Sequence, residues 1–200
     1  DGVESVALRD ALRRAPGDGG AARLLVSGPI LNPDSVAEAR TDVDANAARH
    51  VDIIKIRLEG PADIPIRQPA VYGAVIDQAH ADGLRLAVHM FTAQDTAGLV
   101  QAGADILAHS IRDRDADPAL IAEIKRRDVG YIPTLTRDLS VFVYESRPDF
   151  IDDPFFTREA SYRAPLAALL TPEAQAKVRA DPQAQAIKPA LVQAKRNLKL

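Results

Sequence analysis

Two apolar stretches with a helical segment between them decide the fold: Leu84-Arg85-Leu86-Ala87-Val88-His89-Met90 and Asp105-Ile106-Leu107-Ala108-His109. Each has the length and aliphatic content of a buried strand. The intervening residues open with Thr92 and Asp95, a helix-start pattern, and close at Gly103, where a helix C-cap is expected. A strand, a helix and a strand in this order predict parallel neighbours, because a parallel pair needs a crossover long enough to hold a helix.

The same alternation continues in both directions from this unit. Further strand candidates are residues 23–27, 51–57 and 130–135, which makes five strands in all. Ser35 with Glu38 three residues later, and Asp117 followed by Pro118, indicate two more helix starts. These patterns predict an α/β protein with a parallel sheet.

The pattern changes after residue 135. Residues 136–156 are aromatic and acidic without clear periodicity. The remainder is typical of helices, with a start at Thr171-Pro172-Glu173 and a kink or break expected at Pro189. We therefore predict a parallel β/α portion over residues 1–135, and a lid-like loop with extra C-terminal helices over residues 136–200 in the same domain.

Composition narrows the choice of partners. The 200 residues are 46% hydrophobic and 26% charged, which is typical of a folded chain, and they contain no cysteine for disulfides, thiolate zinc sites or nucleophiles. The net charge is −3 and the basic residues are dispersed along the chain. The chain therefore has no excess of positive charge for a phosphate backbone, which disfavours a nucleic-acid partner. No apolar run approaches the length that spans a bilayer, so no membrane partner is expected. We expect a small-molecule substrate, and the composition allows a homo-oligomer.

Three chemistry-bearing residues stand at or near the carboxyl ends of successive predicted strands: Lys55, His89 and His109. Side chains alternate along a strand, so the aliphatic side should meet the helices and these three should project to the other side. In the last of these strands we place Leu107 on the same side as His109. The carboxyl ends of parallel strands carry the sites of α/β folds, so we predict that the three residues share one site.

Lys55 is the only lysine before Lys125, whereas eleven arginines occupy that stretch. An amine that can lose its proton meets a need that arginine cannot, since arginine stays charged in proteins. Such an amine can attack a carbonyl as a Schiff-base nucleophile. It can also take up carbon dioxide and become a carbamate, an anionic ligand able to bridge two metal ions. Two neighbouring imidazoles favour the metal chemistry.

The sequence resembles the amidohydrolase superfamily, in particular the imidazolonepropionase-like metal-dependent hydrolases that include dipeptidases and cyclic amidases. The resemblance is carried by residues 51–56, 87–89 and 131–135 and by Gly103-Ala104-Asp105-Ile106-Leu107-Ala108-His109-Ser110, and residues 23–28 look like a further strand. It implies a partial (β/α)8 TIM-type barrel in which about strands three to seven are present.

The resemblance also implies a metal centre and a reaction. Lys55 would be the carboxylated lysine that bridges two divalent metal ions, with carbon dioxide as the source of its carbamate, and His89 and His109 would hold the second ion. Zinc is the expected metal. The implied activity of the intact protein is hydrolysis of amide or peptide-like C–N bonds, of the dipeptide or cyclic amide class, by a metal-bridged hydroxide.

Part of the family pattern does not occur in these residues. The family has a His-x-His pair on its first strand and an Asp on its eighth, which binds metal and serves as general base. Here His50 and His80 are isolated, and we expect them to be solvated or capping residues. The 200 residues by themselves are therefore expected to be inactive.

Substrate recognition is expected from the residues that follow the last strand. Arg137, Tyr144 and Arg147 lie there in an aromatic stretch, and a guanidinium or a phenolic hydroxyl could bind a substrate carboxylate. The alternative is a lid packed by aromatic side chains with its arginines in solvent.

Two other functions fit the same residues. One is an aldolase-type lyase in which Lys55 forms an imine and His89 or His109 moves protons. The other is a non-catalytic α/β ligand-binding domain, or a degenerate barrel retained for interactions.

Overall fold

The computed structural model describes residues 2–14, 22–57, 69–158 and 160–200. The chain divides into two compact units, Asp1–Pro133 and Thr134–Leu200.

The first unit alternates helices with strands. Its helices are α1 (Val3–Arg14), α2 (Val36–Ala47), α3 (Pro69–Ala81), α4 (Ala93–Ala102) and α5 (Pro118–Arg126). Its strands are β1 (Ile54–Arg57), β2 (Leu86–His89), β3 (Ile106–Ala108) and β4 (Gly130–Ile132). They form one parallel sheet in the order β1-β2-β3-β4, and a helix lies in the connection between each strand and the next. This arrangement confirms the predicted α/β class with a parallel sheet.

The helices begin where the short polar side chains predict. The side-chain oxygens of Ser35, Thr92 and Asp117 accept backbone N–H groups in the first turns of α2, α4 and α5 at 3.2, 3.0 and 2.8 Å. Each bond satisfies an amide that the helix itself leaves unpaired. At the other end of α4, Gly103 adopts a left-handed φ of 99° and its N–H closes onto the last carbonyls of the helix.

Residues 23–27 do not form the strand predicted for them. The Val26 N–H donates to the carboxylate of Asp52 at 2.9 Å, while the Val26 carbonyl accepts the Asp52 N–H at 2.8 Å. Strand-type pairing with β1 occurs further along the chain, in one isolated parallel bridge between Leu31 and Ile56. Because a side chain takes the amide of Val26, the regular ladder does not extend back across this segment.

The core lies on one face of the sheet. Five strand side chains at its centre are each at most 1% exposed: Ile54, Ile56, Leu86, Val88 and Leu107. They form one hydrophobic cluster with the inward-facing side chains of the helices. Burying an aliphatic side chain of this size contributes roughly 1.5–3 kcal/mol. The opposite face is therefore the one available for polar side chains.

The second unit is helical. It contains α6 (Leu135–Ser140), two 3-10 turns (Val143–Glu145 and Asp149–Asp152), α7 (Pro154–Thr157), α8 (Ala160–Leu169), α9 (Pro172–Ala180) and α10 (Pro182–Asn197). The predicted start at Thr171 is confirmed, since its hydroxyl accepts the Ala174 N–H at 3.2 Å. α10 runs through Pro189 without a break. Among the described residues, none of the helices combines the length and the apolar character needed to cross a membrane.

Candidate active site

Lys55 lies within β1 on the polar face of the sheet. It pairs in register with Ala87, so its side chain shares that face with Ala87 and, two residues further along β2, with His89. Its side chain is half-buried, and burial together with the charge of Arg57 lowers the pKa of its amine. The environment therefore shifts Lys55 toward the neutral amine that both Schiff-base and carbamate chemistry require.

His89 is the last residue of β2 and is only 5% exposed. Burial, above all, lowers the pKa of its imidazole to about 3. Nearby positive charges add to the effect, in decreasing order those of His109, Lys55, Arg57 and Arg112. At neutral pH the ring is therefore uncharged, which is the form in which histidine binds metal ions.

His109 does not point where strand alternation would place it. Leu107 pairs with Val88 on the helix-covered face, so our placement of Leu107 on the site side is wrong, and strict alternation would take His109 to the helices as well. The backbone of His109 instead has a left-handed φ of 79°, which ends the alternation. Its ring consequently lies edge-on to that of His89, with ring centroids 4.2 Å apart and an interplanar angle of 71°.

Two further residues complete this cluster, and sequence reasoning missed both. The Phe91 ring lies 4.4 Å from the His89 ring at 86° and 5.2 Å from the His109 ring at 26°, measured between centroids. The guanidinium carbon of Arg112 stands 3.5 Å above the centre of the Phe91 ring. Neither side chain is a metal-ligand type. In the sequence, only their spacing points to them, because Phe91 follows His89 by two positions and Arg112 follows His109 by three.

Hydrogen bonds fasten the segment that follows His109. The buried Ser110 hydroxyl donates to the Pro133 carbonyl at 2.7 Å, and the Tyr131 hydroxyl accepts the Ile111 N–H at 2.9 Å. The backbone N–H of His109 donates to the Ile132 carbonyl at 2.8 Å. These contacts hold the positive φ of His109, a conformation that costs energy in residues other than glycine.

Asp105 has a structural role at the start of β3. Its carboxylate accepts the Leu86 N–H at 2.7 Å and contacts Nε2 of His80 at 2.9 Å. It thus fixes the beginning of β2 at Leu86, and His89 follows three residues later as the last residue of the strand. The other isolated histidine, His50, is exposed, and its carbonyl accepts a bond from Arg9.

The three predicted substrate residues belong to the second unit. Tyr144 lines a cavity of about 770 Å³ that is formed by side chains from residues 144–169. Arg137 donates to the Asp138 carboxylate at 3.1 Å, and the exposed Arg147 donates to the Asp152 carboxylate at 2.6 Å. The role of all three in substrate binding stays a prediction.

The side chains of this cluster include atoms that can ligate a metal ion. Among the described residues, no group of three or more His, Cys, Asp and Glu side chains is placed to hold a metal ion. The site offers the imidazoles of His89 and His109 and the amine of Lys55, which becomes an oxygen donor as a carbamate. Imidazole nitrogen and anionic oxygen are ligands that zinc accepts, so these residues fit a zinc-like ion.

Four parallel strands with helices in their connections, and a polar cluster at the strand ends, are typical of part of a β/α barrel. No protein-family model matches the sequence, and no curated protein does. Among solved structures, a Xaa-Pro dipeptidase with methionine bound in its active site is 20% identical, with a TM-score of 0.66 over 99% of this chain and 50% of that chain. A Bifidobacterium longum protein assigned as a prolidase is 21% identical, with a TM-score of 0.65 over 99% of this chain and 47% of that chain.

A more distant neighbour has a different substrate in its name. Phenylurea hydrolase B is 18% identical, with a TM-score of 0.53 over 70% of this chain and 43% of that chain. The chain spans about half the length of these structures. At such identities the likeness establishes the fold alone, and it agrees with the partial (β/α)8 barrel that the sequence predicted.

Proposed function

We propose that the intact protein carrying this chain is a metal-dependent hydrolase of amide or peptide-like C–N bonds, in the dipeptide or cyclic amide class. One observation carries the proposal: the imidazoles of His89 and His109 lie 4.2 Å apart at the carboxyl ends of adjacent parallel strands, with Lys55 on the same face as His89. The fold neighbours include a Xaa-Pro dipeptidase, a protein assigned as a prolidase and a phenylurea hydrolase, and their activities support this reaction class.

His89 and His109 would hold one divalent ion, with zinc the expected metal, and Lys55 as a carbamate would bridge it to a second. Bound there, the ions would supply Lewis acidity to the substrate carbonyl and lower the pKa of water. The charge of Arg57 supports the carbamate, because a nearby cation disfavours an ammonium on Lys55 and favours an anion there. The 200 residues alone are expected to be inactive, since these three donors are too few for two ions.

Replacement of Lys55 tests the proposal in the intact protein. We expect Lys55→Arg to lower kcat/KM for Xaa-Pro and other dipeptides by roughly 100-fold or more, because arginine can neither form a carbamate nor attack as a neutral amine. Lys125→Arg, at an exposed lysine of α5, is the matched control and should keep wild-type activity. Full activity of Lys55→Arg, or of the chelator-treated protein freed of metal, would contradict the proposal.

The Schiff-base alternative shares the lowered pKa of Lys55 and needs its own test. Treatment with borohydride and a keto substrate traps an imine on a lysine amine, whereas a carbamate nitrogen is not nucleophilic. Covalent labelling at Lys55 would indicate the lyase. An unlabelled protein that hydrolyses dipeptides supports the hydrolase.

A further inference from the structure

Phe91 touches both histidines of the candidate site. Its ring meets His89 edge to face and lies nearly parallel to the ring of His109, with centroid distances of 4.4 and 5.2 Å. An imidazole can turn about two side-chain bonds, so a neighbouring ring in contact restricts the directions in which its nitrogen atoms point. Here one aromatic side chain restricts both imidazoles together.

Phe91 is itself held from the segment that follows β3. The guanidinium of Arg112 covers its ring at 3.5 Å, and the Arg112 N–H donates to the Phe91 carbonyl at 3.0 Å. One residue further on, the carboxylate of Asp113 accepts the Ala93 N–H at 2.9 Å. The connection after β2 and the connection after β3 are therefore tied together beside the two histidines.

We propose that Phe91 is a positioning residue that sets the ring orientations of His89 and His109 for binding a divalent ion, and that Arg112 holds Phe91 in place. This inference rests on the proposed function, because it assigns the imidazoles a metal. Outer-shell partners that orient ligating histidines through hydrogen bonds are typically worth 10- to 100-fold in metal affinity or activity, and we expect an effect toward the lower end of that range from ring packing. Phe91 does so by ring packing and Arg112 by a cation–π contact.

The test measures metal binding directly in the intact protein, without an activity assay. Zn²⁺ affinity is measured by competition with a chromophoric chelator, and the visible absorption of the Co²⁺ form reports the ligand geometry. We expect Phe91→Leu, which keeps an apolar side chain but removes the ring, to weaken Zn²⁺ binding by about 10-fold or more and to change the Co²⁺ spectrum. Phe91→Tyr, which restores the ring, should recover the affinity and the spectrum.

Phe142→Leu is the matched control. Phe142 lies in the second unit and also has a cation near its ring, the Lys188 amine at 5.6 Å. Its replacement should leave Zn²⁺ affinity and the Co²⁺ spectrum unchanged. A loss of affinity in Phe142→Leu equal to that in Phe91→Leu would overturn the inference, since the effect would then be a general one.

Arg112→Gln is a second test variant, for use if Phe91→Leu does not fold. It leaves Phe91 in place and removes only the cation above the ring, so we expect a smaller loss of Zn²⁺ affinity with the same direction of change in the Co²⁺ spectrum. If the wild-type protein binds Zn²⁺ and the Phe91 and Arg112 variants bind it equally well with the same Co²⁺ spectrum, this inference alone is overturned. Wild-type protein that binds neither metal overturns the proposed function and this inference with it.

Discussion

The ring of His109 lies edge-on to the ring of His89 at 4.2 Å, although Leu107, two positions before His109, faces the helix-covered core. The backbone of His109 resolves this apparent conflict, because its φ of 79° turns the side chain away from the face that alternation would assign. The two imidazoles thus meet through a local backbone conformation that the bonds around Ser110 and Tyr131 support.

Asp105 should stabilise the fold without taking part in chemistry. Its carboxylate accepts the N–H of Leu86, a fully buried residue, and the loss of that partner leaves a buried amide unsatisfied. We expect Asp105→Ala to lower the free energy of unfolding by about 1–3 kcal/mol in urea titrations. Asp77→Ala, at an exposed position of α3, should change it by no more than about 0.5 kcal/mol. Equal effects of the two substitutions would refute the assigned role.

Asp52 should make stability depend on acid pH. Burial opposes ionisation of its carboxyl, but the Val26 N–H and the guanidinium groups of Arg13 and Arg9 outweigh burial and lower its pKa. Because the folded pKa lies below the unfolded value of about 3.9, the stabilisation is complete above that value and is lost as the pH falls through the folded pKa.

The corresponding variant is Asp52→Asn. At neutral pH we expect its free energy of unfolding to be lower than that of the wild type by about 1–3 kcal/mol, since Arg9 is only 1% exposed and loses a carboxylate partner. The difference should narrow below about pH 4 in urea titrations. Asp82→Asn, at an exposed position, serves as the control. A difference that is constant with pH would contradict the assignment.

Gly98 allows α3 and α4 to pack closely. A methyl group added at Gly98 would stand 2.5 Å from the hydroxyl oxygen of Tyr72, a rigid side chain that is 7% exposed. We expect Gly98→Ala to lower the free energy of unfolding by about 1–3 kcal/mol, and Tyr72→Phe to relieve most of that loss in the double variant.

Gly73 provides the contrast, because an added methyl group there would meet nothing within 4 Å. Gly73→Ala in the same helix as Tyr72 should therefore raise stability by up to about 1 kcal/mol through helix propensity. Unfolding curves in which both alanine variants behave alike would disprove the packing argument.

Tyr144 is expected to bind the substrate carboxylate through its hydroxyl. Tyr144→Phe keeps the ring that lines the cavity and removes only the polar group, so it should raise KM for carboxylate-bearing dipeptides with little change in kcat. Dipeptides with an amidated C-terminus serve as the control and should show no such increase. An unchanged KM for the free carboxylates would show that the Tyr144 hydroxyl does not bind the substrate carboxylate.

The sequence predicts the helix starts and four of the strands because these depend on local patterns: Ser35, Thr92 and Asp117 each bond within their own first turn. It fails at residues 23–27, where the amide of Val26 donates to the carboxylate of Asp52, a residue from a distant segment. Lys55, His89 and His109 could be proposed as candidates from their residue types and their positions near strand ends, and their role stays a prediction. Phe91 and Arg112 could not, since their contacts depend on how the connections after β2 and β3 pack in three dimensions.

Metal content of the intact protein tests the central claim most directly. Elemental analysis by mass spectrometry should find about two divalent ions per chain in the wild type and a clear loss when His89 and His109 are both replaced by alanine. A wild-type protein that hydrolyses dipeptides at full rate with no bound metal, or a double variant that retains the wild-type metal content, would contradict the account.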